Sequence, residues 1–179
     1  MAESRQHSSI FRVSGPINMW LHYDTLSNIL CQIGGSKRLV LFSPADVAHL
    51  KIPPGRSSSD LNVFDEKEWA RTSLRHTHPY EAILHAGDVL YIPPLWCHAA
   101  LPMDGTGISI AINTFFKTEE QSYAAGNDTY GNRDVPEYGY GRNDVSKLVG
   151  RFKDMPQDTR RFYLERLADE ILQTARKKG

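Results

Sequence analysis

The sequence predicts a mainly-β domain, a sandwich or barrel of short strands, closed by two amphipathic helices. Three observations carry this. Eight short apolar or alternating segments lie between Ile10 and Phe116, with turn residues between them. After Lys117 the chain turns polar and rich in Gly, Asn, Asp and Tyr. From Val145 onward apolar residues recur at steps of three and four.

The segments follow in order. Ile10 to Val13 ends at the breaker Ser14-Gly15-Pro16, and Ile17 to Tyr23 resumes as a mixed apolar and aromatic run. Ile29 to Ile33 meets Gly34-Gly35-Ser36 and continues as Lys37 to Phe42, a hairpin pattern closed by Ser43-Pro44. Lys51 to Pro79, with Pro53-Pro54-Gly55, three serines and many charges, reads as a long surface excursion, and such loops often carry binding or lid functions. Glu81 to Leu84, Asp88 to Ile92 and His98 to Leu101 are separated by Ala86-Gly87 and Pro93-Pro94. Gly107 to Phe116 is nearly all apolar, as in a strand buried on both faces. Val145, Leu148, Val149 and Phe152 mark one helix, and a second begins near Asp154-Met155-Pro156, with Leu164, Leu167, Ala168, Ile171, Leu172 and Ala175 on one stripe.

A chain of 179 residues suits one domain with its own core. Lys plus Arg and Asp plus Glu balance at 21 each, so no global positive field attracts nucleic acid and any such binding needs a local patch. No apolar run approaches the roughly 20 residues that cross a bilayer, and no apolar segment follows the first charges as in a secretory signal. Cys31 and Cys97 read as buried free thiols of a reducing compartment, which places the chain in the cytoplasm or nucleus.

The sharpest chemical feature is Trp20-Leu21-His22-Tyr23-Asp24. Residues two apart on a strand share a face, so His22 and Asp24 can offer an imidazole and a carboxylate to one ion. The best third ligand is His98, returned by the strand and tight turn that precede it. Two histidines and one carboxylate leave open positions, the arrangement of non-heme Fe(II) oxygenases rather than of closed structural sites. A lone His-x-Asp is weak, and a strand histidine is more often a hydrogen-bonded core residue.

Other residues strengthen the set. Lys37, opening a strand, can pair with a distal carboxylate of a keto acid, although alternation leaves open whether Lys37 or Arg38 points inward. Asn28 and Asn113 are polar residues on apolar strands and need partners, which a bound keto acid, a turn or the backbone can supply. Trp20, Tyr91 and Trp96 are candidates to line a pocket or to fill the core.

His22-Tyr23-Asp24 through Asn28, the strand from Lys37 to Phe42, the run from Ala86 to His98 and Ile110 to Asn113 together resemble the JmjC (cupin-8) family of Fe(II)/2-oxoglutarate oxygenases. The likeness within that family is to the JmjC domains of wybutosine synthesis on phenylalanine tRNA, and it extends to Asn127 to Asp134 and Phe162 to Arg166. Such domains occur as a stand-alone hydroxylase or as the C-terminal module of a larger methyltransferase, and Leu21 to Asp24 with Ile52 to Ser59 resembles the second.

The resemblance implies a double-stranded β-helix of the jelly-roll or cupin type over residues 9–117, a connecting loop over 118–143 and a helical segment over 144–179. It implies His22, Asp24 and His98 as iron ligands and the catalytic centre, Lys37 as the salt-bridge partner of 2-oxoglutarate, and Asn28 and Asn113 as its supporting contacts, with O2 as oxidant. Met19 stands where asparaginyl-hydroxylase relatives carry threonine.

It further implies a homodimer through the C-terminal helices, with the helices' packing on the chain's own sheet as alternative. It also implies tRNA binding through local cations, among Arg71, Arg75, His76, Arg160, Arg161, Arg166, Arg176, Lys177 and Lys178. A protein hydroxylase or histone demethylase and a catalytically silent accessory module are the competing functions.

Overall fold

The structure is a computed structural model in which residues 5–103, 107–117, 129 and 133–177 are described. The chain divides into two units, residues 1–135 and 136–179.

The first unit holds β1 (Gln6–Ser14), β2 (Met19–Tyr23), β3 (Ser27–Gly34), β4 (Lys37–Phe42), β5 (Tyr80–Leu84), β6 (Val89–Ile92), β7 (Cys97–Pro102) and β8 (Ser109–Phe116). They form two antiparallel four-stranded sheets, ordered β1-β8-β3-β6 and β2-β7-β4-β5. Apart from β4 and β5, which pair with each other, sequence neighbours alternate between sheets, which is the winding of a double-stranded β-helix. The segment pair around Gly34-Gly35-Ser36 is therefore not a hairpin, because β3 and β4 lie in different sheets. The turn is a corner between them. Gly35 sits there at φ 69, and a Cβ on it would come within 2.8 Å of the Ile108 carbonyl oxygen, so only glycine fits.

Alternation sorts each strand's side chains. Leu30, Leu39, Leu41, Leu84, Ile92 and Ala111 meet between the sheets as the barrel core. The other parity of the second sheet, Leu21, Val40, Phe42, Cys97 and Ala99, packs outward onto Leu50, Leu61, Val63 and Leu74. The excursion is thus not a surface loop throughout. It follows the 3-10 turn Pro44–His49 and carries a second one, Ser73–His76, and the short helix α1 (Glu66–Arg71), and its sparse apolar anchors, with Leu50 just before it, build a second core. Asp65 caps α1 by accepting from the Lys67 amide at 2.9 Å.

The first sheet is inverted relative to the usual pattern. On β1, Phe11 and Val13 are 64% and 58% exposed while Arg12 between them is half-buried. On β8, Ser109, Ala111, Asn113 and Phe115 face inward and the intervening isoleucines are half-exposed. Read as buried on both faces, β8 alternates between buried and half-buried residues.

The second unit holds α2 (Pro136–Arg151) and α3 (Gln157–Arg176). Residues 136–143, read as the end of a connecting loop, are the first two turns of α2. Tyr138-Gly139-Tyr140-Gly141 has poor helix propensity and hides the start, whereas Pro136 at the first position is compatible with it. Neither helix has a buried residue. No described helix is long and apolar enough to cross a membrane.

Candidate metal centre

His22 and His98 face one another directly across the antiparallel β2–β7 pair, with ring centroids 4.3 Å apart. Asp24, two residues beyond His22, turns its carboxylate to the same side, and its Oδ2 lies 3.7 Å from His98 Nε2. One ligand atom from each of the three falls within 4.8 Å of the others, and all three residues are buried.

The same local device holds both rings. His22 Nδ1–H donates to the Trp20 carbonyl at 2.9 Å and His98 Nδ1–H donates to the Trp96 carbonyl at 3.0 Å. Because a carbonyl only accepts, each proton is fixed on Nδ1 and each Nε2 lone pair is left for the interior. The repeated Trp-x-His of Trp20-Leu21-His22 and Trp96-Cys97-His98 is the sequence trace of this device. The turn before β7 is fastened to the second ligand: Leu95, at φ 64, donates its amide to the Asp24 carbonyl at 2.8 Å.

Electrostatics agree with a ligand set. Burial lowers His22 to about 4, helped by the neighbouring His98 and Arg12 and opposed by Asp24 and the Trp20 carbonyl. Burial also lowers His98 to about 4, with Arg12 adding and the Trp96 carbonyl opposing. Both imidazoles are neutral at neutral pH. An Nε2 lone pair and a carboxylate oxygen facing each other repel unless a cation sits between them, so the donor set fits a divalent ion. Asn28 Nδ2 donates to Asp24 Oδ2 at 3.4 Å, and Asn113 Nδ2 donates to Asn28 Oδ1 at 3.1 Å, so the two asparagines form a chain behind the carboxylate.

Lys37 is the inward member of its pair. It is 8% exposed, while Arg38 turns outward to Glu81 with contacts of 2.7 and 3.2 Å. Lys37 makes no hydrogen bond or ion pair with a described residue, and burial, with Arg12 nearby, lowers its pKa. Arg12 was not singled out from the sequence. Its parity with Ile10 and Ser14 on β1, opposite Ala111, turns it inward, and its charge reaches both histidines and Lys37. The apolar Phe11 and Val13 beside it mislead, since they suggest that the other face is the inner one.

Trp20 is 61% exposed, with its ring 6.4 Å from that of His22. Trp96 packs against the barrel core, and Tyr91 is 55% exposed with its hydroxyl 3.3 Å from Ser27 Oγ. Of the polar segment from Asn127 to Asp134 only Thr129, Arg133 and Asp134 are described. Tyr23 on β2 donates its hydroxyl to Asp134 at 2.5 Å, and Ser8 on β1 donates to the Thr129 carbonyl at 2.6 Å. Lys178 lies outside the described residues.

A β-helix carrying an inward His-x-Asp and an opposed histidine defines a cupin, and the chain belongs to the cupin-like domain family of JmjC type, whose family model matches residues 1–122. It is similar to tRNA wybutosine-synthesizing protein 4 of Emericella nidulans, 54% identical over 171 residues that make 94% of this chain and 16% of that protein. It is also similar to tRNA wybutosine-synthesizing protein 5 of Homo sapiens, 34% identical over 179 residues, 99% of this chain and 55% of that protein. The chain thus spans a small part of the first relative and about half of the second.

Proposed function

We propose that this chain is an Fe(II)- and 2-oxoglutarate-dependent hydroxylase domain acting on a wybutosine-type modified guanosine of phenylalanine tRNA. One observation carries the reading: a lysine ammonium with no counter-ion among the described residues, Lys37, is buried in the barrel that also holds the three convergent donors. A dry cation is costly to keep, and a dicarboxylate held by the same barrel repays it.

His22, Asp24 and His98 would hold the iron, which with 2-oxoglutarate and O2 supplies oxidative decarboxylation to succinate and CO2 and insertion of one oxygen atom into a substrate C–H bond. The chain's residues do the rest. The Trp20 and Trp96 carbonyls keep each histidine in the Nδ1–H form, Asn28 and Asn113 orient the Asp24 carboxylate, Lys37 pairs with the far carboxylate of the cosubstrate, and the apolar barrel core keeps water from that end.

The names of the relatives support tRNA as substrate. Binding would use local cations, with exposed arginines available on α3 and around the Ser73–His76 turn. The helices support a homodimer: Val145, Val149, Phe162, Ile171 and Leu172 are all more than 40% exposed, an apolar surface that a second copy would cover.

The test is an anaerobic titration of Fe(II) and 2-oxoglutarate into wild type and His22→Ala, followed by O2 and mass spectrometry of tRNA nucleosides. Wild type is expected to bind both, to form succinate and to add one oxygen to the modified guanosine; His22→Ala should do none of these. Binding by wild type with no succinate from any tRNA would leave an accessory module, the reading that the much longer relative favours.

A further inference from the structure

Beside the metal centre, a pocket of about 580 Å³ opens between β2 and the segment that follows Ser57. It lies round the edge of the second sheet from the triad, because Leu21 and Ala99 line it while His22 and His98 face the barrel interior. Trp20 belongs to both places, since it lines the pocket and holds its ring 6.4 Å from that of His22. The backbone there is irregular. Between the pairs Met19–Ala100 and His22–His98 the register of β2 against β7 slips by one, so Trp20 and Leu21 together oppose Ala99. Such a bulge re-aims a side chain, and here it accompanies a tryptophan that stands 61% exposed.

The lining sets the chemistry. Trp20 and Phe64 supply two rings, Asn18 and Asn62 two amides, and Asp60 a carboxylate, and among the described residues no lysine or arginine lines the pocket. The Phe64 amide donates to Asn62 Oδ1 at 3.1 Å, which engages the oxygen and leaves the amide N–H groups to serve a ligand. A carboxylate without a cation repels phosphate and accepts from N–H donors, while exposed rings stack on flat π-systems. The volume is within the roughly 300–1,000 Å³ of small-molecule sites.

We propose that this pocket is a nucleobase subsite, with the Trp20 ring as its stacking platform, which takes an unpaired guanine-type base of the substrate RNA. Guanine is the ribonucleobase whose edge offers neighbouring N–H donors to the Asp60 carboxylate. The inference rests on the proposed function only in taking RNA as the substrate.

The experiment is equilibrium dialysis of labelled guanosine and cytidine against the full chain, with inorganic phosphate as competitor. Intrinsic fluorescence serves as a second reading, because Trp20 is the most exposed of the three tryptophans. Guanosine should bind more tightly than cytidine and quench the emission, and millimolar phosphate should not displace it. Trp20→Ala should weaken guanosine at least about fivefold, the lower end of a lost base–aromatic stack. Trp20→Phe should restore most of the affinity, and Asp60→Asn should erode the preference for guanosine. The visible absorption of added Co(II) reports whether the triad survives in each variant.

Equal guanosine binding by wild type and a Trp20→Ala protein with an intact triad, displacement by phosphate, or no guanosine binding at all would overturn the proposal. The two readings fail separately. Guanosine binding without succinate formation on any tRNA removes the hydroxylase and leaves the subsite; tRNA hydroxylation that Trp20→Ala does not impair, with no guanosine bound, removes the subsite and leaves the hydroxylase.

Discussion

Two neighbouring cations leave β4 in opposite directions, and their surroundings decide what each can do. Arg38 spends its charge in a surface fork with Glu81, a contact worth at most about 1 kcal/mol. Lys37 is buried with no partner among the described residues, so it weighs against the empty fold and gains when an anion enters. Lys37→Met is therefore expected to raise the melting temperature of the ligand-free chain and to weaken 2-oxoglutarate about tenfold or more, the worth of a charged hydrogen bond. Calorimetry and cosubstrate titration read the two effects on the same protein, and a Lys37→Met chain that binds 2-oxoglutarate normally would remove the assigned role. Asn28 acts at one remove, through Asp24. Asn28→Ala should lower affinity for Co(II) or Fe(II) by about 10- to 100-fold, as with other residues that orient a metal ligand, and an unchanged metal titration would show that the carboxylate needs no such support. The thiols differ as their burial does. Desolvation, with Asp46 nearby, pushes Cys97 up to about 12, whereas Cys31 is half-buried. At pH 8 a disulfide reagent should modify Cys31 and reach Cys97 only after unfolding; rapid labelling of both in the folded chain would contradict this burial.

At the level of elements, the excursion after β4 shows how a polar segment can be structural. Leu74, fully buried, is one of the four side chains that bring it against Phe42 of β4 and against Leu21 and Ala99, which alternate with the metal ligands on β2 and β7. Leu74→Ala should cost about 2–5 kcal/mol, read by urea denaturation, and a cost below 1 kcal/mol would mean that the second core is not cooperative with the barrel. All eight strands and the second helix were legible, because period-two runs and Gly or Pro breakers are local signals. His22 and Asp24 were legible as a pair because strand spacing puts them on one face, whereas His98 was only the histidine that a later strand could return, and the fold brings the three together. Sheet membership was not legible, since nothing local distinguishes the corner at Gly35 from a hairpin. Nor was the direction of β1, where apolar Phe11 and Val13 point out and Arg12 in. Hydrophobic parity assumes that the apolar face is the inner one, and a barrel with a polar end breaks that assumption. The role of Leu50, Leu61, Val63 and Leu74 escaped because four apolar residues scattered among charges show no period.

For the whole molecule, formal charge is balanced at pH 7, so the response to acid depends on groups whose protonation differs between the folded and unfolded chain. The His22–His98 pair is the largest of these. In the unfolded chain each ring takes its proton near pH 6.5; in the fold burial, with the adjacent ring and Arg12, delays this to about 4. Between these values the unfolded chain binds more protons, so stability increases with pH across the window. The contribution is fully present above about 6.5 and is lost as the pH falls towards 4, with a slope of at most about 1.4 kcal/mol per pH unit for each ring. In the metal-free chain, denaturation midpoints measured from pH 7.5 to pH 4 should fall on acidification, and His98→Ala should show a shallower fall, because one of the two differential protons is gone and the other ring no longer faces a neighbour. A wild-type midpoint that stays level down to pH 4.5 would mean that the rings take up their protons in the fold at the same pH as in the unfolded chain, so that burial does not hold them neutral.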